Sequence, residues 1–338
     1  MNKLFEMPGM ITIIPSGNSV KLGTNHMAMS PFNSNTYGKS ISTEYEIQPF
    51  KMSAGTITRK QFIDVMSLQG AYIRLFSPEY APPPNTEQPI RNEDYYLGKP
   101  AEKSVTTYLL SSAFANLPTS LYIEEPMANT PITHVTVYDC MLYCNALSII
   151  HGYQPVYTFH QPIPEGYLPN DYTGALPSIN LNANGFRLPM EHEFQYAASV
   201  NYKYVFGNST DTHDYIYNQQ NPYLSAFIAH EKFRLPWPLP SISYKPNDFG
   251  LYHMSGNVSE WCFLSNALHL KERETPEIIN MAFLKQSRST SYFGTIGGDY
   301  ISSYTRARTT KDANPVTLNC INHTQDCYIG FRICQNVS

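Results

Sequence analysis

Cys320 and Cys327 stand near the end of the chain, separated by six residues that include Asn322 and His323. In an exported protein two such thiols could close a loop disulfide, and elsewhere they would stay free. Cys140 and Cys144 lie one helical turn apart, a spacing that usually marks buried small hydrophobes. His192-Glu193 begins like a metalloprotease helix, but no second His follows four residues on, which excludes that chemistry. No CxxC pair, His/Cys cluster, GxSxG elbow or phosphate-cradling Gly-rich loop occurs. What the chain does concentrate is Tyr, Ser, Thr, Asn, His and Asp between Ser291 and Arg332. These are the adaptable and amphipathic types of binding loops, set against the plainer reading of an ordinary polar loop.

Positioning such a segment is work for the elements around it. Gly9 to Gly23 alternates apolar and polar residues about a Pro-Ser-Gly turn and predicts a β-hairpin. From Tyr45 to Met66 a period-2 strand gives way to a helix, with Thr58 and Gln61 as a capping box and Phe62, Val65 and Met66 as its stripe. Residues 67–130 form an insertion containing Ala81 to Pro89 (APPPNTEQP), suited to an extended surface excursion that contacts a partner chain or stays flexible. A strand ending near Val137 should lead into a helix with Cys140, Met141, Cys144 and Leu147 on one face and Gly152 at its end. Pro189 is placed in the first turn of a further helix, where Glu191 and Glu193 complement its dipole and Phe194, Ala197 and Ala198 face inward. In LYHMSGNVSEW, Gly256 permits close backbone approach, Asn257 tolerates unusual φ/ψ, and Glu260 and Trp261 tie the turn to the core.

Charged residues make up only 15%, while Tyr numbers 26, Phe 17 and Pro 26. This reads as an ordered, loop-rich, aromatic-packed chain. A net charge of -4 offers no footprint for nucleic acid or anionic lipid, and neither is expected as a main partner. No run approaches the ~18 apolar residues of a membrane span. The first residues, broken by Pro8 and Pro15, lack the apolar core of a secretory signal, so synthesis in the cytoplasm is expected unless an export signal has been removed.

Four blocks in order, GFRLPMEHEFQYAAS from Gly185, NDFGLYHMSGNVSEW from Asn247, GGDY from Gly297 and the closing GFR from Gly330, resemble the formylglycine-generating enzyme family. The Ile14-Pro15-Ser16-Gly17 turn and the VYDCMLYCNALS helix are similar to further family elements. The resemblance implies an α+β, C-type-lectin-like fold with few helices, short twisted antiparallel strands and much irregular loop. It spans residues 1–338 as a single domain, with the Pro-rich insertion at about 67–130 and a candidate ligand-binding segment at about 286–332.

The resemblance also implies sites. Members that oxidise a cysteine in their substrates carry two copper-binding cysteines before the final GFR, and Tyr300 to Lys311, where they should fall, contains none. Copper(I) wants two soft thiolates held together, and Cys320 and Cys327 are the displaced pair that remains. The family's calcium ligands map onto His253, Gly256, Val258 and Glu260, with His253 in place of an Asn and so one oxygen ligand fewer; no cofactor is expected, and calcium is the one ion the resemblance leaves open. Cys334, one place later than the family's GFRC cysteine, is expected near Cys144. Variable proteins of diversity-generating retroelements share this fold and place their mutated residues just before a GFR-like block. By that resemblance the contact residues are Tyr300, Ser302, Ser303, Tyr304, Arg306, Asn319, Asn322, His323, Asp326 and Tyr328, with Arg308 as a buried anchor.

The reading is therefore a non-catalytic ligand- or receptor-binding protein. Its target would be a protein or glycan on a cell surface, and display on a phage tail or cell surface would use residues 67–130 to hold other particle proteins. The alternatives are a metal-dependent oxidoreductase acting on a cysteine or small thiol, and a structural decoration protein.

Overall fold

The computed structural model describes residues 7–17, 19–22, 43–66, 128–133, 135, 137–158, 177–201, 203, 226–227, 238–243, 245–264, 278–280, 293–299, 314–316 and 329–337. Strands β1 (Met10–Ile13), β2 (Ser19–Leu22), β3 (Thr43–Glu46) and β4 (Phe50–Ser53) come first. The hairpin expected around Pro15 does not form: β1 pairs with β4 and β2 with β3, both antiparallel. An isolated two-stranded ribbon could not bury Ile13, whereas the β1–β4 pairing places it opposite Phe50 in the core.

Helix α1 (Arg59–Met66) carries the expected capping box, with Gln61 N–H on Thr58 Oγ1 at 3.1 Å and Thr58 N–H on Gln61 Oε1 at 3.0 Å. Phe62 and Val65 are fully buried. Among the described residues no strand leads directly into the second helix; Pro131 makes only a bridge to Thr58, and Val137 already opens α2 (Val137–Ile150). That helix is not one-faced. Cys140, Met141, Leu142, Tyr143, Cys144, Ala146 and Leu147 are all buried, as expected of a helix wrapped by other elements. It ends as the sequence predicts, with Gly152 at φ 73 and Tyr153 N–H on Ser148 O at 2.8 Å.

After β5 (Tyr157–Thr158), β6 (Ser178–Asn180) and β7 (Phe186–Arg187) comes α3 (Glu191–Ser199). Met190 is its N-cap, which puts Pro189 one residue ahead of the cap instead of in the helix's first turn. All nine residues of α3 are buried, so the expected inward-facing set is widened to the whole helix. The remaining strands are β8 (Ala226–Phe227), β9 (Ser255–Gly256), β10 (Ser259–Phe263), β11 (Ile278–Asn280), β12 (Phe293–Ile296), β13 (Asn314–Val316), β14 (Ile329–Gly330) and β15 (Cys334–Asn336).

Two four-stranded sheets run β1-β4-β15-β7 and β13-β12-β10-β14, joined by a three-stranded β11-β6-β5 sheet and the β2-β3 and β8-β9 pairs. Most pairings are antiparallel, but β10–β14 and β8–β9 are parallel. The last strand thus lies between β4 and β7, and the chain's end completes the sheet that its beginning started. Few helices, short strands and much irregular backbone make this an α+β fold. No described helix is long and apolar enough to cross a membrane.

Candidate functional site

The LYHMSGNVSEW turn is built on left-handed backbone. Gly256 has φ 93 and Asn257 φ 67, and His253 also sits at φ 51, a conformation uncommon for a residue with a Cβ. Asn257 clamps a neighbouring strand of chain, accepting Leu239 N–H at 2.9 Å and donating from Nδ2 to Leu239 O at 3.2 Å. A second left-handed turn, Gly297 and Gly298 at φ 90 and 69, faces it through Gly256 N–H on Gly297 O at 2.8 Å. Trp261 Nε1 donates to Val135 O at 2.9 Å, which fixes β10 to the segment before α2.

Strand β10 is flanked on both sides. Glu260 is the rung partner of Ile296 on β12 and of Gly330 on β14. The stretch 297–329 therefore begins and ends beside one rung of β10, at points about 10 Å apart, twice the interstrand spacing, and within it β13 returns to pair with β12. Beyond that rung, Arg332 donates from Nε to Glu260 Oε2 at 2.6 Å and from Nη2 to Glu260 Oε1 at 2.8 Å. Nη2 also reaches Tyr252 O at 3.0 Å, Nη1 reaches Ser53 O at 3.3 Å, and the guanidinium lies 5.6 Å over the Phe194 ring. Neither side chain meets solvent. Burial lifts the Glu260 pKa above the ordinary carboxylate range against the pull of Arg332. His253, also buried, shares a 2.8 Å hydrogen bond between Nε2 and Ser243 Oγ. Burial, aided by the Arg332 charge, pulls its pKa down to about 4.

These contacts decide the fit of calcium. His253, Gly256, Val258 and Glu260 do lie in one turn, but both oxygens of the acid accept N–H bonds from Arg332, and the imidazole is neutral. A calcium ion there would have to displace a buried guanidinium from its counter-ion. The residues present do not fit the ion. Among the described residues no group of three or more His, Cys, Asp or Glu could hold a metal.

The expected contact residues Tyr300, Ser302, Ser303, Tyr304, Arg306, Asn319, Asn322, His323, Asp326 and Tyr328, with Arg308, Cys320 and Cys327, lie outside the described residues. So does nearly all of the 67–130 insertion, apart from its last residues, 128–130. The base of that insertion is described: Arg59 N–H bonds Thr130 O at 3.0 Å, Ile132 N–H bonds Ile57 O at 2.9 Å, and Ile57 N–H bonds Phe331 O at 2.8 Å. The residues flanking 67–130 and the closing Phe331 thus meet in one backbone ladder. Cys140, Cys144, Cys262 and Cys334 are free and buried, and burial raises every one of these thiols well above its ordinary pKa. Cys144 lies close enough to Cys334 to help raise the pKa of that thiol, and the two are not bonded.

Sequence reasoning missed the partner of Glu260. It also missed a second buried pair, in which Arg187 Nη1 and Nη2 hold Glu193 Oε2 and Oε1 at 2.7 and 2.6 Å while Glu193 Oε2 accepts Met190 N–H at 2.9 Å. The available signal was an Arg between Phe331 and Ile333, and another between Phe186 and Leu188, in a chain poor in charge.

This scaffold, whose strand β10 is flanked by β12 and β14, is a C-type-lectin-like architecture of the formylglycine-generating-enzyme type. The chain belongs to the family of the sulfatase-modifying factor enzyme 1-like domain, whose model matches residues 2–337. A relative, Chaperone protein LppX of Paenibacillus barcinonensis, is 29% identical over 230 residues, 63% of this chain and 74% of that one. Among solved structures, Treponema denticola variable protein 1 is similar with TM-score 0.57 at 17% identity, over 97% of this chain and 95% of that chain. CarF is similar with TM-score 0.55 at 17% identity, over 98% and 99%. These two likenesses show the fold.

Proposed function

We propose that this chain is a non-catalytic ligand-binding protein that presents residues 300–328 to a protein or glycan receptor on a cell surface. The observation that carries this reading is the double pairing of Glu260 with Ile296 and Gly330, which clamps both ends of the segment to one strand. A loop so held can change its side chains while the buried frame keeps its own contacts, the arrangement by which rigid scaffolds present binding loops. The likeness to a protein titled variable protein 1 supports the reading, and so does a relative named as a chaperone. Residues 67–130 serve as the attachment surface toward other proteins of a phage tail or cell surface. No cofactor is part of this reading.

The rival is an oxidoreductase that uses Cys320 and Cys327 with copper or iron to oxidise a cysteine or small thiol. Bound metal and oxygen uptake are measured on the purified protein with a cysteine-containing peptide. The binding reading expects neither stoichiometric metal nor turnover; finding both together would sink it.

A further inference from the structure

The C-terminal end of α2 carries an aromatic shelf. His151 and Tyr153 stack at 6.1 Å between centroids and 23° between planes, and both meet the buried Phe186 edge-on, at 6.1 and 5.7 Å. Tyr153 is the one aromatic side chain among the exposed large hydrophobics of the described residues, at 36% exposure. On the same two loops Gln154, Asn182 and Asn184 are exposed, and Gln154 and Asn184 touch.

The shelf is rigid. Tyr153 N–H is held by Ser148 O, and Gln154 N–H by Asn184 Oδ1 at 2.8 Å, so the two loops that carry it are stitched together. Their approach at Gly185 leaves no room for a Cβ, which would stand 2.3 Å from Gln154 O. The Asn184 carbonyl accepts Gln335 Nε2 at 2.8 Å, which ties the shelf to β15. With α2 about 21 Å long, the shelf lies at the opposite end of that helix from Val135 and Trp261.

We infer that Tyr153, His151, Gln154, Asn182 and Asn184 form a binding site for a neutral glycan. An aromatic face attracts the polarised C–H groups on one side of a sugar ring. Primary amides offer both donors and acceptors to the hydroxyls at the ring's edge. None of the residues carries a formal charge at neutral pH; burial lowers the pKa of His151 and keeps the imidazole neutral. The match is to a ligand with an apolar face, a hydroxylated rim and no charge. The shelf does not depend on the reading of residues 300–328.

The test is an array of neutral hexose-terminated glycans probed with the full chain, followed by titration of whichever glycan binds. Tyr153→Ala and Asn182→Ala should each weaken that binding about tenfold or more, Tyr153→Phe should retain most of it, and replacing 300–313 and 317–328 with Gly/Ser linkers that spare β13 should leave it unchanged. Thermal midpoints of the same variants separate lost binding from lost folding. No glycan bound, or binding that Tyr153→Ala leaves intact in a folded protein, overturns the inference. Binding lost only with the linker variant also overturns it and leaves the proposed function standing.

Discussion

Arg332 grips both carboxylate oxygens of Glu260 at 2.6 and 2.8 Å without a water-exposed atom between them, at the rung where Glu260 pairs with Gly330. Taking two charges out of water is costly, and the pair survives because each remaining donor also finds a carbonyl, of Ser53 or Tyr252. Removing one partner strands the other. Glu260→Gln is therefore expected to destabilise the protein by about 3–5 kcal/mol in chemical denaturation, and Glu260→Leu with Arg332→Met by less than either single change. A cost for Glu260→Gln within about 0.5 kcal/mol, the range of ordinary surface changes, would show that the pair does not carry the frame.

His253 links stability to pH. Its folded pKa of about 4 lies below the ordinary 6.5, because burial first and the Arg332 charge second penalise the imidazolium. A depressed pKa contributes stability that is present above 6.5 and is lost as pH falls toward 4, at most about 3 kcal/mol. Thermal midpoints should decline across that window. His253→Asn should flatten the decline, and its left-handed backbone at φ 51 suits Asn better than His. An unchanged slope in that variant would place the pH dependence elsewhere.

Gly330 is packed too tightly for any side chain. A Cβ there would stand 2.7 Å from Ile132 O, a backbone atom that cannot swing away. Gly330→Ala should force apart the ladder joining residues 57, 132 and 331 and cost about 1–3 kcal/mol. Amide exchange at Ile57 and Ile132 should accelerate with it; protection equal to the parent protein at both amides would contradict the account.

Thr58→Ala removes the side-chain half of the α1 capping box and should cost about 1 kcal/mol. Thr58→Ser, which keeps the hydroxyl, should recover most of it in the same denaturation measurement. If the two variants behave alike, the Oγ1 contact is not what holds the helix start.

Local chemistry was legible where neighbours in sequence act on each other. The Thr58–Gln61 box, the Gly152 cap and the left-handed Gly256-Asn257 turn all depend on residues within a few positions, and each forms as read. Pairing over distance was not legible. Strands β1 and β2 alternate as a hairpin should, yet β1 pairs with β4, where Ile13 meets the buried Phe50, and β2 pairs with β3. The α2 sequence shows an apolar side, but only the surrounding layers reveal that every side is covered. The Glu260–Arg332 pair spans 72 positions, and that separation hid why the calcium set would be engaged elsewhere.

The central claim is that a fixed frame carries an independent binding segment. Tyr300, Tyr304, Asn322 and Tyr328 are changed to Ala together in the full chain, and thermal midpoint and binding to intact host cells are measured on the same preparation. The account predicts a midpoint unchanged within about 2 °C, since surface substitutions cost little, with cell binding abolished. Cell binding retained by the folded variant would contradict it.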